Sequence, residues 1–390
     1  MRRVVVVGAS LAGVHAVEAL REAGFDGEVT LIDGQRELPY DRPPLSKAAL
    51  RDGPVEGEHL LRPVGWYDDH AIALRLGQAA VGLDPAARSV LLEGGARLGY
   101  DGLVLATGST ARTLGHVAGA AAAAHVLRTT GDCARLHARL LPGARLVVIG
   151  AGFIGLEVAA TAREMGLEVS VVELAPAPLA RVLGDEVGNW LLGYHAARGI
   201  DIRCGTSVES IDASGKVRLR GGTTLAADVI AAGVGALPAT GWLRGSGLRL
   251  SDGVVCDQFL HTSLPGVVAA GDIARWYNPL FDQELRVEQW TNAVEQGRYA
   301  ALSLLGAVDA PYASAPYFWS DQFGAKIRFV GTSSAAQQVE IKQADDNTLV
   351  ALFGRDDVVC GALCVNAPRA LAAYRRAIVE RLPWQQAVLS

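Results

Sequence analysis

Cysteine is scarce in this chain, and what there is forms no pattern. The 390 residues hold five, Cys133, Cys204, Cys256, Cys360 and Cys364, an odd number with no C-x-x-C pair. That excludes a disulfide framework and the usual zinc-site spacings, and a reducing, cytoplasmic setting fits. Cys360 and Cys364 lie in the apolar run VVCGALCV, where thiols behave as core hydrophobes. Basic runs and basic–aromatic arrays are also missing, and a net charge of −5 argues against nucleic acid as the main partner. No apolar stretch is long enough to cross a membrane, and none is expected to anchor the chain to one. The start, Met1-Arg2-Arg3 followed by VVVVGASLAGV, imitates the charged and apolar regions of a signal peptide. Its glycines, however, fall at the spacing of a nucleotide-binding turn. Low complexity is confined to Ala120 to Ala124.

What is plentiful is glycine, 45 residues of it, in a chain half hydrophobic and long enough for two or three domains. The stretch from Arg145 to Glu173 states the pattern most plainly. A buried strand (Leu146 to Ile149) runs into Gly150-Ala151-Gly152-Phe153-Ile154-Gly155. A helical segment from Leu156 to Met165 follows, then a second strand (Glu168 to Val172) that ends on Glu173. Gly150 suits the tight turn, Gly152 the close approach of a pyrophosphate to a helix N-terminus, and Gly155 the packing of helix on strand. Glu173 is placed to accept from a ribose diol and to repel a 2′-phosphate, so the expected ligand is NADH.

An earlier copy occupies residues 3 to 33. Strand Val4 to Val7 leads into Gly8-Ala9-Ser10-Leu11-Ala12-Gly13, then a helix to Glu22 and a strand, Glu28 to Ile32, that ends on Asp33. Ser10 stands where the middle glycine would be, and a side chain that small still permits close backbone approach. Asp33 is the natural ribose ligand. Two such units imply two dinucleotides, a flavin that stays and a nicotinamide that comes and goes.

Between them, Leu38 to Lys47 (LPYDRPPLSK) reads as a proline-stiffened loop that does not continue a helix, with Arg42 and Lys47 as cations beside the first nucleotide. A hairpin-like region, Ala79 to Leu98, precedes a strand ending in Ala106-Thr107-Gly108. The second unit closes on Asp228 to Ala232 and Gly233-Val234-Gly235. The chain then returns to the first domain. Gly271-Asp272 ends a strand with a carboxylate suited to ribityl hydroxyls, and Glu288-Gln289-Trp290 opens a helix running to Leu305, whose N-terminus suits the electron-rich end of a flavin. Strands and a final helix, Pro368 to Arg381, make up a third domain.

These segments resemble the FAD-dependent NADH:ferredoxin reductases that serve oxygenases and cytochromes P450, the putidaredoxin and rhodocoxin reductase type. The likeness spans essentially the whole chain. Its most specific stretches are YDRPPLSK (40–47), Ala106-Thr107-Gly108, GAGFIGLE (150–157), Gly271-Asp272, EQWTNAVEQG (288–297) and FWSDQ (318–322). The resemblance implies an α/β fold of two Rossmann-like dinucleotide-binding domains, glutathione-reductase-like, plus a small α+β C-terminal domain. FAD would occupy residues 1–112 and 244–316, NADH residues 113–243, and the C-terminal domain residues 317–390.

It further implies that Lys47 and Glu157 meet near flavin N5 and that Trp290 and Trp319 orient the flavin. Ala80, Arg128, Arg181, Gly233 and Gly235 would join the cofactor contacts. No residue need act as a nucleophile, and no metal is called for. Hydride passes from NADH to the flavin, and electrons leave singly for the cluster of a small acidic 2Fe-2S ferredoxin, steered by local cations such as Arg275, Arg286, Lys326 and Arg328. The protein would be a monomer or a weak homodimer. Three departures stand out: Ser10 in the first fingerprint, Gly34-Gln35 in place of an Asp-Glu pair, and Ala177 in place of an arginine after the second ribose acid.

Two other readings stay open. One is an NADH oxidase-like flavoprotein, although a dithiol relative would need a cysteine after the first unit and none precedes Cys133. The other is a redox-signalling flavoprotein resembling apoptosis-inducing factor.

Overall fold

The computed structural model describes residues 1–333 and 336–389, without the side chains of residues 121 and 122. These residues divide into two compact bodies. The first holds Met1–Asp41, Gly57–Thr110 and Leu237–Pro316, and the second holds Arg42–Glu56, Ala111–Ala236 and Tyr317–Ser390.

In the first body, the run of four valines at residues 4–7 is buried on both faces, as a parallel central strand demands. Strand Arg3–Val7 lies between Glu28–Ile32 and Gly102–Leu105 in a five-stranded parallel sheet whose outer strands are Ile72–Arg75 and Val267–Ala269. Helices Leu11–Glu22 and Trp290–Leu304 pack closely on each other, so closely that a Cβ on Gly297 would lie 2.2 Å from Ala12 O. The expected hairpin of residues 79 to 98 is a three-stranded sheet: Ala80–Asp84, Ser89–Leu92 and Arg97–Gly99.

The second body repeats the plan. Arg145–Ile149 pairs in parallel with Glu168–Val172 and Val229–Ala232, with Ile200–Arg203 and Ala124–His125 outermost. The helix begins at Phe153, not Leu156, because Gly152 is already its extended N-cap and Gly155 falls in its first turn. Residues 317–390 belong to this body as a five-stranded antiparallel sheet, Tyr317–Gln322 at one edge, followed by helix Pro368–Val379.

The segment 42–56 also folds with the second body. The expected proline-stiffened loop, Leu38 to Lys47, continues no helix but contains one short turn. Pro43–Ser46 is a 3-10 turn with proline in its first positions, and Lys47 leads straight into helix Ala48–Asp52. Proline is tolerated there because the first N–H groups of a helix have no internal partner to lose. Among the described residues, no helix is long and apolar enough to cross a membrane.

Candidate functional site

The two glycine turns are built alike. Gly8 has φ +110°, and a Cβ there would lie 2.2 Å from Ala106 O; Gly150 has φ +103°, and its Cβ would lie 2.4 Å from Gly233 O. The third glycines are equally confined, Gly13 against Gly8 O at 1.8 Å and Gly155 against Gly150 O at 2.1 Å. These four glycines are required by the protein's own backbone. The middle position differs: a Cβ on Gly152 would meet nothing closer than Gly233 O at 3.8 Å. Its lack of a side chain serves no internal packing and leaves room for a ligand, and Ser10 occupies the equivalent N-cap in the first body.

Each turn is tied down by the acid at the end of the second strand. Asp33 accepts from Ala9 N at 2.7 Å and Gln35 N at 2.8 Å. Glu173 accepts from Ala151 N and Ala175 N, both at 2.7 Å. A carboxylate oxygen can accept twice, so both acids hold the turn while keeping capacity for a ribose. Arg181 is 78% exposed, with Nη2 3.9 Å from Glu173 Oε1. Arg128 N donates to Asp132, which closes the capping box of helix Thr130–His137. Gly235 N–Cα adopts φ +97° in an open stretch, and Ala80 opens the small three-stranded sheet.

FAD fits the first body on specific grounds. Gly271 N donates to Gln296 Oε1 at 2.9 Å, and Asp272 Oδ2 accepts from Ser109 Oγ at 2.8 Å, so the Gly271-Asp272 turn faces the start of helix Trp290–Leu304. There Gln289 Oε1, Asn292 Nδ2 and Gln296 Nε2 are buried with no hydrogen-bond partner among the described residues, and the N-cap Gln289 makes no side-chain cap. Buried orphan polar atoms at a helix N-terminus suit a polar, electron-rich ligand. Trp290 Nε1 is held by Asp41 Oδ1 at 2.8 Å, whereas Glu288 is exposed and pairs with Arg286 at 2.7 Å. Thr107 Oγ1 donates to Ala239 O, fixing the Ala106-Thr107-Gly108 turn. Leu11 and Ala12 form the first turn of their helix.

The second body brings Lys47 and Glu157 together, with Nζ 2.7 Å from Oε2. Glu157 is only 3% exposed, and a buried carboxylate must be paired and hydrogen-bonded. It is: Ser46 Oγ donates to Oε2 and Ser320 Oγ to Oε1, each at 2.5 Å. Thr161 Oγ1 donates to Ser46 O, tying the 3-10 turn to the same helix. Phe153 meets Phe318 edge-on at 4.6 Å, and Trp319 stacks on Tyr317 at 6.3 Å. Sequence reasoning missed Ser46 and Ser320 as partners of this acid, and Gln322 and His195 as the groups bonded in turn behind Ser320. Ser46, Ser320 and Gln322 stand in motifs already singled out, YDRPPLSK and FWSDQ, but only the tertiary fold turns the two hydroxyls onto Glu157 and the Gln322 amide onto Ser320.

The cations expected to steer a partner are each committed to a carboxylate. Arg275 pairs with Glu284, Arg286 with Asp252 and Glu288, and both Lys326 and Arg328 with Asp321. Local neutralisation weakens the idea of a bare basic patch; Lys326, 58% exposed, is the most accessible of the four. The cysteines are free, four of them buried. Burial pushes Cys133 up to about 11 and Cys256 to about 12, far from a reactive thiolate. No group of metal-ligating side chains gathers among the described residues.

Comparison with known proteins agrees with this geometry. The pyridine nucleotide-disulphide oxidoreductase family matches residues 2–297, and the reductase C-terminal family matches residues 317–390. The ferredoxin–NAD(+) reductase component of the anthranilate 1,2-dioxygenase system of Burkholderia cepacia is 38% identical over 96% of this chain and 93% of its own. Rhodocoxin reductase of Rhodococcus erythropolis is 35% identical over 97% and 90%. A chain in the crystal structure of the covalent putidaredoxin reductase–putidaredoxin complex superposes with a TM-score of 0.93 at 34% identity, covering 98% of this chain and 94% of that one. The chain therefore belongs to the pyridine nucleotide-disulphide oxidoreductase family and, within it, to the ferredoxin–NAD(+) reductases. It is an oxidoreductase whose cofactors are FAD and a nicotinamide nucleotide.

Proposed function

We propose that this enzyme carries electrons from NADH through FAD to a small acidic 2Fe-2S ferredoxin that serves a cytochrome P450 or a Rieske-type oxygenase. The observation that carries this reading is the pair of matched glycine turns, each closed by an acid on a turn N–H, Asp33 on Ala9 and Glu173 on Ala151. Relatives named as reductase components of dioxygenase systems, and a reductase solved in complex with putidaredoxin, support the choice of acceptor.

In this reading residues 1–112 and 244–316 bind FAD, residues 113–243 bind NADH, and residues 317–390 complete the enzyme. Bound FAD supplies a two-electron acceptor that can release electrons one at a time. The chain's residues do the rest. Gly8, Ser10 and Gly13 receive one pyrophosphate; Gly150, Gly152 and Gly155 receive the other. Gln289, Asn292 and Gln296 satisfy the flavin's polar edge. Trp290 and Trp319 orient it, and the Lys47–Glu157 pair sets the charge beside it. Glu173, with Ala177 in place of a cation, selects against a 2′-phosphate. The enzyme works in the cytoplasm as a monomer or weak homodimer.

Stopped-flow mixing of the purified yellow protein with NADH or NADPH, followed by a 2Fe-2S ferredoxin, tests the proposal. NADH should bleach the flavin within milliseconds to seconds, and the ferredoxin should restore its colour. Absence of bound flavin, or a preference for NADPH, would overturn it.

A further inference from the structure

Glu157 ends a hydrogen-bond chain that the reading above does not use. Ser320 Oγ donates to Glu157 Oε1 at 2.5 Å, Gln322 Nε2 donates to Ser320 Oγ at 2.9 Å, and Gln322 Oε1 faces His195 Nε2 at 2.8 Å. The ring's other nitrogen, Nδ1, faces Leu191 O at 2.8 Å. All four side chains are buried, so bulk water does not supply missing donors.

Hydrogen counting gives this chain a direction. With Glu157 ionised against Lys47 and Ser46, the one hydroxyl hydrogen of Ser320 goes to Oε1. Ser320 Oγ must then accept from the Gln322 amide, which turns the Gln322 carbonyl to His195. His195 must answer with Nε2–H. Burial holds His195 below its ordinary pKa of 6.5, with Arg198 acting in the same direction against the hydrogen bonds to Leu191 and Gln322, so the ring has one hydrogen to place. Spent on Nε2, it leaves the Nδ1 lone pair against Leu191 O. If Glu157 is protonated instead, every arrow reverses. Glu157 donates to Ser320, Ser320 to the Gln322 carbonyl, the flipped amide to His195 Nε2, and Nδ1–H to Leu191 O.

The ring's other neighbours do not break this logic. Tyr194 stands edge-on at 5.6 Å with the Arg198 guanidinium over its face, and Phe323 lies at 5.8 Å. Glu164, on the helix that bears Glu157, acts on Tyr194.

We propose that Glu157, Ser320, Gln322 and His195 form one reversible hydrogen-bond chain, in which His195 is a positioning residue whose tautomer is locked to the charge on Glu157. Reversal takes up one proton from solvent at the Glu157 end, where Lys47 is 23% exposed; the ring loses its Nε2 proton and regains one at Nδ1 by exchange with solvent during local opening, so it keeps one hydrogen and no electrons move. Lys47 Nζ and Ser46 Oγ meet the Glu157 end of the chain and Leu191 O meets the His195 end, so each direction satisfies one end of it. The chain would thus report at His195 a change of charge beside Lys47. That use rests on the proposed function; the existence of the chain does not.

The test is long-range 1H–15N correlation of the histidine ring nitrogens in the purified, flavin-loaded protein, with His195→Asn identifying the signal among eight histidines. Wild type should show Nε2–H at neutral pH. Ser320→Ala frees the amide and should switch His195 to Nδ1–H with Lys47 intact. Lys47→Met should give the same switch together with a carboxylic C=O stretch in the infrared, and adding Gln322→Met should abolish the coupling. Nδ1–H in the wild type, or a ring unmoved by both Ser320→Ala and Lys47→Met, would overturn the proposal. Failure of electron transfer would appear as a flavin that NADH does not bleach, and would leave the ring readout intact.

Discussion

Lys47 and Glu157, far apart in sequence, meet at 2.7 Å, and the acid's remaining capacity is taken by the hydroxyls of Ser46 and Ser320. Lys47→Met leaves the buried carboxylate without its countercharge. Removing one partner of a fully buried pair costs about 3–5 kcal/mol; because Lys47 is partly exposed and Glu157 can take up a proton, about 1–3 kcal/mol is expected here. Flavin reduction by NADH should slow by about tenfold or more, each tenfold being ~1.4 kcal/mol of barrier. Thermal melts and stopped-flow absorbance check the two parts separately. An unchanged reduction rate would remove the pair from the reaction.

The glycines make opposite predictions within one turn. Gly150→Ala sets a Cβ 2.4 Å from Gly233 O on a backbone at φ +103°, so it should destabilise the fold outright. Gly152→Ala meets nothing inside 3.8 Å. Its melting temperature should stay near wild type, within the roughly 0.5 kcal/mol typical of harmless surface changes, while KM for NADH rises. A Gly152→Ala protein that melts early would mean the residue serves packing after all.

Glu173 both anchors the turn, through Ala151 N and Ala175 N, and faces the position expected for a ribose. Glu173→Ala should lower kcat/KM for NADH and shrink the preference over NADPH by about tenfold, equivalent to ~1.4 kcal/mol. Measuring kcat/KM with both nucleotides decides it. A preference that survives intact would place the discrimination elsewhere.

Acid should weaken the fold through two histidines. Burial lowers the pKa of His195, and burial with Arg62 lowers that of His15, both from 6.5. As pH falls below 6.5, the unfolded chain gains protons that the folded chain refuses. Stability is therefore full above 6.5 and declines down to the folded values. His195→Asn should flatten part of that decline in melting temperature between neutral and mildly acidic pH; parallel curves for variant and wild type would deny it.

Some of this was legible from residues alone. Each nucleotide turn is local: strand, glycines, helix, strand and acid follow one another from Arg145 to Glu173, so spacing specifies both the fold unit and the acid that ties its turn. The same holds for Gly8 to Asp33. Boundaries were less legible, since Phe153 to Gly155 read as turn but form the first helical turn. The helix after Lys47 was hidden because prolines look like breakers unless their place in the first turn is known.

The surroundings of Glu157 were decided only in three dimensions. Ser46, the pair Ser320 and Gln322, and His195 come from three separate segments, and a polar residue's partner depends on which way the packed backbone aims its hydrogen. Likewise the four candidate cations looked free in the sequence and proved to be paired, because Asp252, Glu284, Glu288 and Asp321 reach them through the fold. Sequence determines what can bind within one continuous turn; tertiary structure determines the direction of a hydrogen bond between segments, because that direction exists only once donors and acceptors have been brought together and counted.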